Sequence, residues 1–370
     1  MTRTKLFIVM LIVSVFLGGC AAPKKAIRSF YQGDQKPASL NPQTPPIVPF
    51  SPRLIEAELR VVISNIHLLK GKALADDNRK RGIPPQTPPQ LHLWASAIIP
   101  RLNQHVPDLK LIGPAPQDIF ADKENGNRIF YWNLTPYLEK QDSIVISRRV
   151  KIESYALLGI IDSTAVLSYD TSGAVFRFYT KSEPFLELTP DIRAAAAGIV
   201  GDETNPYKKA RMIFDWVHRK MTYIYPPAKR GAPAALASLK GDCGQYADLF
   251  IALCRAAGVP ARFVGGFQAQ KKPKLSFHAW AEFYLPGMGW LPADATHDRS
   301  QFARLNNRRL IVSVGSNIFL KHAPSWATYS NSDLEDSRTD IMQVATVAYA
   351  GIRVKIKTGI RTIRFDKASF

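Results

Sequence analysis

The stretch from residue 241 to 258 constrains this chain more than any other. It reads Gly-Asp-Cys-Gly-Gln-Tyr-Ala-Asp-Leu-Phe-Ile-Ala-Leu-Cys-Arg-Ala-Ala-Gly. Ala247, Phe250, Ile251, Cys254 and Ala257 recur at helical spacing, and Gly258 followed by Pro260 ends the pattern. Asp242 stands where an N-cap belongs, so Cys243 falls in the first turn. Unpaired backbone N–H groups and the positive end of the helix dipole favour a thiolate there. Cys243 is therefore placed to react, whereas Cys254, on the apolar side of the same helix, reads as a small buried hydrophobe. At a rise of about 1.5 Å per residue the two lie about 16 Å apart along the helix, beyond disulfide reach.

The chain opens with Arg3 and Lys5 ahead of an uncharged apolar run from residue 6 to 17, then Leu17-Gly18-Gly19-Cys20. The run is too short to span a membrane and reads as a secretory signal. Its last four residues resemble the bacterial lipobox, which implies cleavage before Cys20 and lipidation of that cysteine. With Ala21 next, the resemblance favours sorting to the outer membrane, facing the periplasm, if the cell is Gram-negative. Residues 21–52 hold seven prolines and little apolar content, the composition of an extended tether. The formal charge is +19, of which Arg3 and Lys5 carry two, leaving +17 on the mature chain. Such a charge favours anionic phospholipid, lipopolysaccharide or wall polymer; a generally positive solvated surface is the plainer alternative. Nucleic acid is excluded as a partner, since an exported protein rarely meets it and the sequence carries no recognition motif.

Ile55, Leu59, Val62, Ile66 and Leu69 alternate four and three residues apart, which predicts an amphipathic helix followed by a loop over residues 53–85. From residue 86 to 188 the pattern changes to short period-two segments such as Leu91-His92-Leu93-Trp94-Ala95 and Ile129-Phe130-Tyr131-Trp132, and predicts a β-sandwich. After Thr189-Pro190 two helices follow, the second carrying Trp216 and His218 as packing or surface residues. Past Gly258, a strand through Phe263 and a second through His278-Ala279-Trp280 lead to the turn Pro286-Gly287-Met288-Gly289. A third strand, Trp290-Leu291-Pro292-Ala293-Asp294, returns as partner to the second. Alternation puts His278, Trp280, Glu282 and Tyr284 on one face, and the hairpin can bring His278 beside Asp294. Residues 326–370 predict C-terminal strands, with a hairpin turning at Thr358-Gly359 and a basic face of Arg353, Lys355 and Lys357.

Four blocks, Gly241-Asp242-Cys243-Gly244-Gln245-Tyr246-Ala247, Gly258-Val259-Pro260-Ala261-Arg262, His278-Ala279-Trp280 and Trp290-Leu291-Pro292-Ala293-Asp294-Ala295-Thr296, together resemble the bacterial transglutaminase-like superfamily of papain-fold cysteine enzymes. The resemblance implies an α+β fold, in which a papain-like core over residues 189–325 follows the β-sandwich and a Cys-bearing helix packs on an antiparallel sheet bearing His and Asp. It also implies that Cys243 is the nucleophile, His278 the general acid/base and Asp294 the residue that orients the imidazole. The Cys243 N–H would be one oxyanion donor, with Tyr223 and Tyr225 as candidates for a second. Asp294-Ala295-Thr296-His297 contains metal-ligand types, but no cysteine or histidine pair at metal spacing accompanies it. His297 reads as a loop residue, and neither metal nor cofactor is expected. The activity implied is cleavage of a peptide or glutamine amide through a thioester in the cell envelope. Transfer of the acyl group to an amine and a non-catalytic binding module are the alternatives.

Overall fold

The computed structural model describes residues 47–271, 275–327, 338–342 and 344–367. The expected signal, Cys20 and the tether as far as residue 46 lie outside the described residues. Ile47–Leu68 is one long strand, β1, where a tether to residue 52 and then a helix are expected. The same residues that fit a helical period also alternate: Ile55, Ala57, Leu59, Val61 and Ile63 are all buried, while Arg60 between them is exposed. β-Branched Val61-Val62-Ile63 and a partner strand that pairs along nearly the whole length decide for the extended form. The helix comes later, in the stretch expected to be a loop: α1, Gly71–Lys80, carries Asp76 between Lys72 and Arg79.

Strands β2 (Gln90–Ala97), β3 (Gln104–Ile112), β4 (Asp118–Asp122), β5 (Asn127–Asn133) and β6 (Ser143–Gly159) follow. The expected sandwich thus ends at Gly159, and the stretch to residue 188 holds the short helix Ala174–Tyr179 instead. Four longer elements then succeed one another: α2 (Pro190–Val200), α3 (Pro206–Lys220), α4 (Ala232–Ser238) and α5 (Cys243–Ala256). The remaining strands named here are β7 (Ala261–Gln268), β8 (Ser276–Leu285), β9 (Gly289–Ala293), β10 (Arg309–Val314), β11 (Thr346–Ala350) and β12 (Ile352–Lys367). No turn interrupts β12 at Thr358-Gly359; those residues pair with Val61 and Arg60, because β1 offers an antiparallel ladder on both sides of them.

Three sheets of four or more strands, all antiparallel, stand out among the described residues. In the first, β1 lies between β6 and β12, and β6 also pairs with β3. The second runs β11-β2-β5-β4. Ile55, Leu59 and Ile63 of β1, Leu91 and Leu93 of β2, Phe130 and Trp132 of β5 and Ile144 and Ile152 of β6 form one apolar core between these two sheets. The third sheet runs β9-β8-β7-β10. Its Phe263, Val264 and Phe283 share a core with α5, while Phe267, Leu310 and Val312 join the core of the other two sheets. This sheet is therefore fixed from both faces, which makes it a rigid platform for side chains along its edge. Each fully buried side chain of this size contributes about 1.5–3 kcal/mol.

Gly266 of β7 shows how little slack the platform has, since a Cβ there would meet the Leu310 carbonyl oxygen at 2.1 Å and the Trp280 ring at 2.9 Å. Gly198, on the exposed side of α2, has nothing within 4 Å. We expect Gly266→Ala to lower stability by about 1–3 kcal/mol through overpacking. Gly198→Ala should raise it by about 0.5–1 kcal/mol. Both are read as shifts of the denaturant midpoint at unchanged slope.

Candidate active site

Helix α5 starts where it does because Asp242 caps it: its Oδ1 accepts from the N–H groups of Gly244 (2.9 Å) and Gln245 (3.3 Å). From Gly244 to Arg255 every residue is buried, and Cys254 is a free thiol sealed in the core. Cys243, at the mouth of this helix, is free and half-buried. The segment before it is tied to the same place. Thr222-Tyr223 pairs in parallel with Lys240-Gly241, and Gln245 Nε2 donates to the Lys229 carbonyl at 2.8 Å. As a result Tyr223, 55% exposed, sets its hydroxyl against the Cys243 N–H. Tyr225, 77% exposed, has no such contact among the described residues.

The third sheet supplies the other two predicted residues. Ala281 pairs with Ala293, so Asp294 follows one step beyond, diagonal to His278 on the same face. His278 Nε2 and Asp294 Oδ2 are 2.7 Å apart. An ionised carboxylate only accepts, so Nε2 carries the donated proton, and in the neutral ring the lone pair is then on Nδ1. The sulfur of Cys243 takes the N–H of Ala279, the residue after His278. The helix mouth and the imidazole strand thus meet at the Cys243 sulfur.

Asp294 is only 1% exposed. Burial opposes its charge, yet its carboxyl lies well below the ordinary 3.8, because His278, Arg309 and Thr296 all favour the ionised form. Thr296 Oγ1 donates to Oδ1 at 2.5 Å, and Arg309 Nη2 donates to Oδ2 at 2.7 Å. Arg309 in turn gives Nη1 to Gln268 Oε1 at 2.6 Å. The sequence reading does not include Arg309. The signal for it was present, since an arginine opening the apolar run Leu310-Ile311-Val312 has to find a carboxylate if the strand is buried. His218, read as packing or surface, reaches the Ala295 carbonyl through Nδ1 at 3.2 Å and ties α3 to the Asp294 turn. His297 is more than a loop residue: its Nε2 lies 3.9 Å from Asp294 Oδ2, and its ring centroid is 5.5 Å from that of His278.

The helix start does not prevail at Cys243. Burial pushes the thiol up to about 11, and the charges of Asp242 and Asp294 push the same way, against the N–H groups of Ala279 and Gly244. In this arrangement the sulfur is a thiol at neutral pH, and its proton needs an acceptor.

Residues 193–295, which include all three predicted catalytic positions, match the sequence profile of the transglutaminase-like superfamily. The chain carries a transglutaminase-like domain. A candidate cysteine protease from Cytophaga hutchinsonii superposes with a TM-score of 0.57 at 16% identity, covering 88% of this chain and 95% of that one, and so shares the fold. A protein-glutamine gamma-glutamyltransferase from Pseudomonas aeruginosa is 32% identical over 24% of this chain and 15% of its own length. A Haemophilus influenzae protein without an assigned function is 32% identical over 32% of this chain and 39% of its own length. The chain thus spans well under half the length of these two relatives. The transglutaminase-like domain coincides with α2 to α5 and the third sheet as far as Ala295.

The ionised Asp294 stabilises the fold above pH 3.8, and that contribution is lost as the pH falls through the lower folded-state value. Arg309→Met removes one partner of a buried ion pair. We expect it to cost about 3–5 kcal/mol near neutral pH. Because Asp294 then protonates more readily, acid unfolding of the variant should begin at higher pH, as measured by denaturant titration across a pH series.

Proposed function

We propose that Cys243, His278 and Asp294 carry out acyl transfer from an amide, through a thioester on Cys243. The observation that carries this reading is that Asp294 holds His278 through Nε2 while the N–H of Ala279, the next residue on the same strand, meets the Cys243 sulfur. In this mechanism Nδ1 takes the thiol proton as the sulfur attacks the carbonyl carbon. The imidazolium, stabilised by Asp294, then gives that proton to the departing nitrogen. The oxyanion is met by the Cys243 N–H and by the Tyr223 hydroxyl, which rests against that N–H in the unliganded site. Since burial holds the sulfur as a thiol, His278 works as a base during attack, and the thiolate is not waiting beforehand.

Water is the preferred acceptor of the acyl group, which makes the protein a peptidase or amidase. Transfer to an amine is the second reading, favoured by the Pseudomonas relative named as a gamma-glutamyltransferase. We place the protein in the cell envelope, anchored through lipidated Cys20 and held off the membrane by the proline-rich segment. The motif Leu17-Gly18-Gly19-Cys20 and the +19 charge support this location. Among the described residues no helix is long and apolar enough to cross a membrane.

The test follows a glutamine-containing peptide with and without a primary amine, scoring released ammonia, cleaved peptide and amine adduct by mass spectrometry. Hydrolysis predicts products without the amine, and transamidation predicts adducts only with it. Cys243→Ala should lower either activity by more than about 10³-fold. In alkylation with iodoacetamide near pH 7, His278→Ala should slow Cys243 by about 10²-fold. In the native protein the rate should go on rising with pH toward the raised thiol value of about 11 instead of levelling near the ordinary 9. A Cys243 that reacts no faster than the sealed Cys254 would leave a binding module in place of an enzyme.

A further inference from the structure

His297 has no part in the acyl-transfer scheme, yet its ring stands beside that of His278 and the carboxylate of Asp294. One ring nitrogen of His278, one of His297 and one carboxylate oxygen of Asp294 all lie within 4.8 Å of one another. The two separations that involve the carboxylate oxygen are 2.7 and 3.9 Å. Ligand atoms bound tetrahedrally to zinc at about 2.0–2.1 Å lie about 3.3 Å apart, so these separations bracket what such an ion needs. Two imidazoles and one carboxylate form a ligand set that suits zinc and its neighbours rather than calcium or magnesium. We propose that His297, His278 and Asp294 form a reversible capture site for a divalent transition metal of the zinc type, and that its occupancy silences Cys243.

Three further features fit the assignment. The carboxylate already has an outer shell, with Thr296 Oγ1 on Oδ1, Arg309 Nη2 on Oδ2 and Gln268 behind Arg309. Ligating carboxylates are characteristically hydrogen-bonded in this way. Asp294 and His297 sit three residues apart on one turn, closed by the His297 N–H to the Asp294 carbonyl at 3.4 Å, so two ligands come from a single local structure. The His297 side chain is 43% exposed whereas those of the other two are nearly sealed, which gives the ion a path of entry and an exposed first ligand. The Arg309 guanidinium opposes a second positive charge nearby, which suits reversible capture and not a structural ion.

The consequence for Cys243 rests on the role proposed above for His278; the binding does not. To ligate through Nε2, a neutral His278 gives up the proton it holds toward Asp294 and takes one on Nδ1, and the metal–nitrogen bond forms at the freed lone pair. No proton is gained or lost overall. With hydrogen on Nδ1 the ring can no longer accept the thiol proton, so the metal blocks attack without touching sulfur.

The test uses the full chain freed of metal by a chelator. Zn²⁺ binding is measured by calorimetry and Co²⁺ binding by visible absorption, for the native protein, His297→Ala and Cys243→Ser. The proposal expects the native protein to bind one ion more than His297→Ala, or to bind it at least about tenfold more tightly. Cys243→Ser should keep that ion, and cobalt should show no sulfur charge-transfer band. Saturating zinc should slow iodoacetamide modification of Cys243 by about tenfold or more in the native protein, reversibly with chelator, and leave the rate of His297→Ala at its metal-free value. Equal binding by native protein and His297→Ala, or loss of binding in Cys243→Ser, would overturn the ligand set. Binding without any protection of Cys243 would overturn the silencing. If Cys243 is inert in every condition, the acyl-transfer reading fails, and the calorimetric comparison still decides whether the metal site exists.

Discussion

A carboxylate shut away from water must be surrounded by donors, and at Asp294 that requirement involves every strand of the sheet that carries the site. Its partners are His278 on β8, Arg309 on β10 and Thr296 in its own turn after β9, while Gln268 on β7 holds the far side of Arg309. A buried charge without partners is expensive to keep, so the network cannot lose a member without strain on the rest. The same constraint gives the imidazole its direction. With Nε2 committed to Asp294, Nδ1 is the ring nitrogen left without a carboxylate partner.

The helix mouth illustrates two effects of opposite sign acting on one sulfur. Unpaired N–H groups in a first turn favour a thiolate, as the position of Cys243 suggests from sequence. Burial and two nearby carboxylates favour the thiol, and they win, with the group pushed up to about 11. A cysteine held in this way is protected from indiscriminate oxidation and alkylation. A sulfur in this state needs a base before it can act as a nucleophile.

The parts legible in the sequence are those where one local rule acts without competition. The capped apolar helix from Cys243, the hairpin between β8 and β9 and the diagonal placing of His278 and Asp294 all follow from spacing and turn chemistry. The parts that were not legible depend on partners far along the chain. Residues 53–69 satisfy a helical and an alternating period at once, and only the presence of β6 and β12 on either side of β1 selects the strand. Thr358-Gly359 looks like a turn until β1 holds it straight. The apolar run after Arg309 signals a buried guanidinium in need of a carboxylate, but only the sheet makes Asp294 that partner, and only there does His297 gain meaning.

The pairing of Arg53 with Lys367 carries a consequence for how the molecule is assembled. As the polypeptide emerges, β1 can zip to β6 early, but its other side stays unsealed until the much later β12 has been made. During that interval a long row of free amide and carbonyl groups is available to any extended chain that passes, including another copy of the same protein. Closure across so great a separation in sequence is also intrinsically slow. β12 therefore acts as a clasp that covers the open side of β1.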